Sequence, residues 1–243
     1  MNEGPANSTT SKETGLRFYT WDDVIYPSVT SILGMAFAKP GLNLWYAKMA
    51  VDAVFEGQPE PERAAERYRD FAADRGSRIH NACEQVILTK EPPYGLEPED
   101  LPYFTAFLQW ERDFEPWYWA AESTVYNRSL LYAGTADIIA MVPSLGDELG
   151  VVDVKTSKSI HKEYALQLAA YQYAEVLRLP TDAAEKLPTL ARSAVLHLRP
   201  NGKYSFRIVD DPENAFRSFR ACLDMLESHK KVGFTTLKPP TDE

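Results

Sequence analysis

The sequence predicts a mixed α/β (α+β) protein, with a central mixed β-sheet flanked by helices and a helical N-terminal portion packed against it. Three observations predict this class. Helical periodicity dominates residues 26–116, three consecutive segments of alternating and β-branched residues follow, and a helix then separates these from a further strand pair and a closing helix.

In chain order, the tail to about Gly15 is polar and is expected to be disordered, as is the terminal KPPTDE. The segment from Tyr26 to Gly57 reads as two short helices split at Lys39-Pro40-Gly41, because proline followed by glycine stops a helix. Residues from about Pro61 to Lys90 read as a helix whose apolar positions Phe71, Ile79, Val86 and Ile87 interleave with charge. A proline-rich loop, EPPYGLEPEDLP, leads to an amphipathic helix over 101–116. Three strands follow, in AESTVYNRSLL, YAGTADIIAMV and GVVDVKTS, then a helix from about Lys162 to Leu177. A strand pair near ARSAVLHL and YSFRIV and a helix from about Pro212 to Lys230 close the chain.

A length of 243 residues with 44% hydrophobic content fits one domain, expected over 18–237 between tails at 1–17 and 238–243. No stretch approaches the roughly 18 apolar residues of a membrane span, and residues 1–17 lack the apolar run of a signal peptide, so a soluble, intracellular (cytoplasmic) protein is expected. Cys83 and Cys222 cannot build a disulfide framework or a four-thiolate cluster. A net charge of −9 counts against broad coating of nucleic acid, which needs basic surface. An enzyme that gathers carboxylates around a cation is compatible with it.

The second and third strands read as a hairpin whose loop, PSLGDEL, is centred near Leu145. That register sets Asp137 opposite Asp153, and directly opposed residues have Cβ atoms about 4.5–5.5 Å apart on one face. Lys155 falls on the same face two residues later, while Val152 and Val154 point the other way into a core. A carboxylate inside the apolar run GVVDVKT costs several kcal/mol, roughly, unless a partner or a hard cation such as Mg2+ compensates. An isolated D-x-K recurs by chance on surfaces, so its neighbours decide its weight.

Those neighbours are G-T-A-D at Gly134 to Asp137, Q-L-A-A-Y at Gln167 to Tyr171, and G-S-R-I-H ending at His80. In this order and approximate spacing, over His80 to Tyr171, the chain resembles the RecB-like branch of the PD-(D/E)XK nucleases. That branch includes CRISPR-associated adaptation exonucleases, mitochondrial genome maintenance exonucleases and many phage exonucleases. The resemblance implies a restriction-endonuclease-like core over about 70–210 and a deoxyribonuclease using one or two Mg2+ or Mn2+ ions. It makes His80, Asp137 and Asp153 metal ligands, with the backbone carbonyl of Val154 as a further ligand and Lys155 as the catalytic lysine. Gln167, Tyr171 and Thr156 become substrate-binding or supporting residues. Some relatives carry an iron–sulfur cluster on four cysteines; with two cysteines, this chain is expected to lack one.

The implied activity is exonucleolytic hydrolysis of DNA phosphodiesters in end processing for recombination, repair or replication, leaving a 5′-phosphate and a 3′-hydroxyl. Alternatives are a structure-specific endonuclease and a noncatalytic DNA-binding domain of the same fold. Expected partners are single- or double-stranded DNA with ends, and a recombinase, helicase or single-strand-binding protein.

Other candidates stay open at this point. Glu84, one helical turn beyond His80, reaches the metal shell, orients the imidazole, or is a solvated carboxylate; Glu122, on the preceding strand, is a further candidate acid around the metal. Arg63, Arg67, Arg75, Arg78, Lys158 and Lys162 are candidate DNA contacts, although Glu62, Glu66, Asp70 and Asp74 interleave with the arginines at ion-pair spacing. Trp45, Tyr46, Trp110, Trp117 and Trp119 either stack on unpaired bases or fill the core.

Overall fold

The computed structural model describes residues 8–11, 15–37, 39–179, 183–229 and 231–233. The chain opens with a small antiparallel sheet of β1 (Ser8–Thr10), β2 (Arg17–Trp21) and β3 (Val24–Pro27). Pairing of Trp21 with Val24 leaves Asp22 and Asp23 as a two-residue loop, both left-handed at φ +50° and +59°. Two positive φ values match the right-handed twist of flanking strands, and aspartate tolerates them better than most residues. The expectation of a featureless tail is therefore corrected at its C-terminal end, since Ser8–Thr10 pairs with residues 17–19. The KPPTDE expectation lies outside the described residues.

Helices α1 (Val29–Ala36) and α2 (Gly41–Phe55) flank the Lys39-Pro40-Gly41 break. Ser28 caps α1 by accepting the Ser31 amide hydrogen at 3.0 Å. A 3-10 turn at Pro61–Arg63 leads into α3 (Ala64–Thr89), which stops where Lys90 turns left-handed, and α4 (Leu101–Phe114) stops at Glu115 in the same way. Next come β4 (Trp117–Asn127), β5 (Tyr132–Met141) and β6 (Leu149–Lys155), an antiparallel meander.

Helix α5 (Glu163–Gln172), short strands β7 (Val176–Arg178) and β8 (Ala184–Lys186), then β9 (Arg192–Leu198), β10 (Tyr204–Ile208) and α6 (Pro212–His229) complete the order. The seven-stranded sheet runs β10-β9-β6-β5-β4-β7-β8, with β9 parallel to β6 and the other pairs antiparallel. The expected mixed sheet flanked by helices is the architecture found. The helix expected to reach Leu177 ends instead at Gln172, and Val176 and Leu177 pair with Tyr126 and Val125.

Alternation along β5 and β6 sends successive side chains to opposite layers. Ile139 and Val151 join Val29 and Ile32 of α1, Leu168 of α5 and Phe219 of α6 in one core. Ile138, Val152 and Val154 join Ile79 and Cys83 of α3 and Phe107 and Trp110 of α4 in the other. Each fully buried Ile, Leu or Phe stabilises by about 1.5–3 kcal/mol, so this second core fixes α3, and with it His80, against the ends of β5 and β6. A third cluster joins Tyr19, Trp21 and Tyr26 to Tyr126, seating the small sheet on β4. Among the described residues no helix is long and apolar enough to cross a membrane.

Candidate metal centre

The β5–β6 register pairs Ile138 with Val152, and one further step sets Asp137 across from Asp153, as the loop position predicts. Asp153 is fully buried, and its oxygens are divided between Lys155 Nζ at 2.5 Å and Gln167 Nε2 at 3.0 Å. Asp137 turns one oxygen to the Val154 amide at 2.7 Å and the other to His80 Nδ1 at 3.6 Å. His80 Nε2 donates to the Val154 carbonyl at 3.0 Å, and Nδ1 lies 3.3 Å from Glu122 Oε1.

His80, Glu122 and Asp137 thus each offer a ligand atom, all within 4.8 Å of one another. An imidazole held by a backbone carbonyl through Nε2 leaves Nδ1 as the metal-facing nitrogen, an arrangement that fixes tautomer and ring orientation. Two carboxylate oxygens and one imidazole make a donor set that could hold a divalent metal ion. The Val154 carbonyl therefore orients His80 here, and Asp153 stands beside the trio, engaged by Lys155 and Gln167.

Glu122 is the residue the sequence undervalued. Its φ is +42°, a left-handed conformation that costs a non-glycine residue about 1–3 kcal/mol. The strand is also out of register between Tyr118 and Ala120, a bulge that re-aims side chains next to it. This conformation carries the Glu122 carboxylate to within 3.3 Å of His80 Nδ1.

The carboxylates of the cluster draw positive charge onto their neighbours. Burial disfavours charge on His80, yet Asp137 and Glu122 outweigh it and push the imidazole up to about 9. Burial pushes Asp153 up to about 6 against the pull of Lys155, and it raises Asp137 despite His80. For Lys155 burial acts downward, but Asp153 and Asp137 prevail and the group stays an ammonium. In the metal-free protein a proton on His80 does a cation's work.

Stability should respond accordingly. The His80 contribution is fully present below 6.5 and is lost as pH rises through about 9. Asp153, raised from 3.8 to about 6, adds a destabilisation that grows over that interval and is complete above it. In EDTA, wild-type Tm is expected to fall between about pH 6 and 9, and His80→Gln to flatten that fall. Differential scanning fluorimetry checks this; equal slopes for the two proteins would contradict it.

The trio lies in a cleft of about 1320 Å³. Gln167 and Tyr171 line it as expected, with Gln167 Nε2 also 3.0 Å from Tyr171 Oη, so the amide supports Asp153 rather than Lys155. Gly134 allows this packing, because a Cβ there would stand 2.4 Å from Tyr171 Cε1. Glu84 lines the cleft outside the trio, and Thr156 lies against Gly76 of α3. Tyr164 places its ring 5.0 Å from Lys155 Nζ and donates to Ser157 Oγ at 3.2 Å, contacts the sequence did not suggest.

The candidate DNA-contacting arginines are otherwise employed. Arg78 forms a two-pronged pair with the buried Asp100 at 2.6 and 3.0 Å, and Arg75 lies over Tyr103 at 5.0 Å. Arg63 pairs with Glu60 and Glu66, and Arg67 reaches the Glu60 carbonyl and Gln58. Lys158 and Lys162 are exposed beyond β6. Trp110 is core, Trp45 and Tyr46 pack edge to face, Trp117 is exposed and Trp119 lines the cleft. No protein-family model matches the chain, and a search of the curated proteins gives no match.

Proposed function

We propose that the protein is a Mg2+- or Mn2+-dependent deoxyribonuclease of the PD-(D/E)XK superfamily, RecB-like branch without an iron–sulfur cluster, acting as an exonuclease. The observation that carries the proposal is the cluster of three candidate ligands, His80 of α3, Glu122 of β4 and Asp137 of β5, beside the buried Asp153–Lys155 pair of β6. The two carboxylate oxygens of Glu122 and Asp137 fit a hard divalent cation, whose binding would displace the proton held on His80.

When bound, such a cation supplies charge neutralisation at a phosphodiester and acidifies water. The chain's own residues do the positioning. Val154 fixes His80 through its carbonyl and Asp137 through its amide, so the backbone of one residue orients two ligands. Gln167 and Lys155 hold Asp153, and Lys155, an ammonium with donors to spare, hydrogen-bonds a phosphate oxygen where negative charge builds during attack by water. A group kept protonated by two carboxylates acts as a donor rather than a base. The setting is DNA-end processing in recombination, repair or replication in the cytoplasm, in company with a recombinase, helicase or single-strand-binding protein.

Time-resolved digestion of end-labelled DNA and of covalently closed circles, with Mg2+, Mn2+ or EDTA, tests the proposal. Metal-dependent shortening from an end, circles left intact, and loss of activity in Asp153→Ala and Lys155→Ala are expected. Undiminished cleavage in both variants would exclude this site.

A further inference from the structure

Helix α2, GLNLWYAKMAVDAVF, is apolar on all sides, with Lys48 and Asp52 as its only charged residues and these two paired with each other. A helix of this composition is ordinarily buried all round. Here the fold covers one side. Trp45 meets Tyr68 of α3 edge to face, Ala53 is buried, and the helix rests on α3 and the 3-10 turn before it. The opposite side carries Leu44, Ala47, Val51 and Val54 at three- and four-residue spacing, the a and d positions of two heptads, with Phe55 beside the last. Leu44 is 76% exposed, Val51 52%, Val54 62% and Phe55 85%. Exposure on this scale amounts to roughly 600 Å² of apolar surface in one stripe, the upper end for the largest patch on a typical monomer.

Charge and area point to a second copy of the chain as the occupant. Lys48 and Asp52 lie along one flank of the stripe, and antiparallel helices bring like flanks together. A two-fold axis near Met49 then sets Ala47 against Val51 and Leu44 against Val54 of the other copy, with Lys48 of each facing Asp52 of the other. Parallel pairing would set Lys48 against Asn43 and Ala50, where no charge meets it. Two such stripes face to face remove about 1,200 Å² from water, the lower limit for a stable specific interface.

We propose that α2 is a self-association surface through which two copies of the chain pair antiparallel, as a dimer of micromolar affinity. No residue of α2 lines the cleft, so the proposal is independent of the nuclease reading.

Sedimentation equilibrium of the full chain, from about 1 to 100 µM, tests it. Each substitution enters a two-fold interface twice, so Leu44→Glu and Val51→Glu are each expected to weaken dimerisation by about 100-fold or more. Both positions are exposed in the monomer, so circular dichroism and Tm at low concentration should match wild type. Tyr94→Ser, at an exposed residue past the C-terminal end of α3, is the control and leaves the dimer unchanged. At a net charge of −9 the copies repel, and raising NaCl from about 0.05 to 0.5 M should tighten the dimer about threefold or more as that repulsion is screened. Wild type monomeric at about 100 µM, a dimer that persists in both glutamate variants, or one that loosens as salt rises overturns the proposal. Flotation of a monomeric wild type with phosphatidylcholine vesicles would give the stripe to a lipid surface instead.

Discussion

Asp137→Asn is expected to lower Mg2+-supported DNA hydrolysis by about 10³-fold or more while leaving the protein folded. On the proposed function the side chain offers one of three candidate ligand atoms, and its loss would remove several kcal/mol of transition-state stabilisation, at about 1.36 kcal/mol per tenfold. An amide oxygen can still accept the Val154 N–H that Asp137 Oδ2 accepts now, so the local β5–β6 contact survives. Glu122→Gln is expected to be as damaging. In EDTA both variants should still unfold cooperatively but lose part of the wild-type fall in Tm between about pH 6 and 9, because Asp137 and Glu122 are the groups that hold the proton on His80. Steady-state kinetics and thermal denaturation check the two halves; retained activity in Asp137→Asn would remove the metal centre from the account.

Asp100→Ala is expected to be the most destabilising of the single changes considered, by about 3 kcal/mol. Asp100 is fully buried, accepts two hydrogen bonds from Arg78 and one from the Glu97 amide, and is the cap residue of α4. Burial opposes its ionisation, but Arg78 and the Glu97 amide hold the carboxyl below its ordinary 3.8. The stability it contributes is therefore present above 3.8 and lost as pH falls below it. Truncation leaves Arg78 with only the longer 3.7 Å pair to Glu99, and Tm should drop by roughly 10 °C for a chain of this size. Arg78→Ala should likewise appear as a stability variant, with DNA affinity changed little when folded protein is compared.

Most of the site was legible because the β-strand period is short and strict. Alternation in YAGTADIIAMV and GVVDVKTS, with a loop fixing the turn centre, was enough to set Asp137 against Asp153 and Lys155 beside it. Glu122 was legible only as an acid on the preceding strand. Its place across from Asp137 depends on the bulge between Tyr118 and Ala120, which shifts the register by one, and its backbone is left-handed; neither is written in the local alternation. The helix expected to about Leu177 stops short at Gln172 although nothing in the following YAEVLRL breaks the local pattern; pairing of Val176 and Leu177 with Tyr126 and Val125, some fifty residues away, decides it. The N-terminal hairpin did leave a trace in FYTWDDVIYP, where two aspartates interrupt β-prone residues. The arginines of α3 could be read as DNA contacts until their partners were seen, since Asp100 lies 22 residues from Arg78.

Mn2+ binding followed by isothermal titration calorimetry near pH 7 tests the metal centre most directly, comparing wild type with Glu122→Gln and Asp153→Asn. The account predicts that Glu122→Gln weakens binding by about 10- to 100-fold or more, the range already seen when only a supporting partner is lost. Asp153→Asn, which disturbs the Lys155 pair beside the trio, should weaken it less. Wild-type affinity in Glu122→Gln, with binding lost in Asp153→Asn, would contradict the ligand set of His80, Glu122 and Asp137.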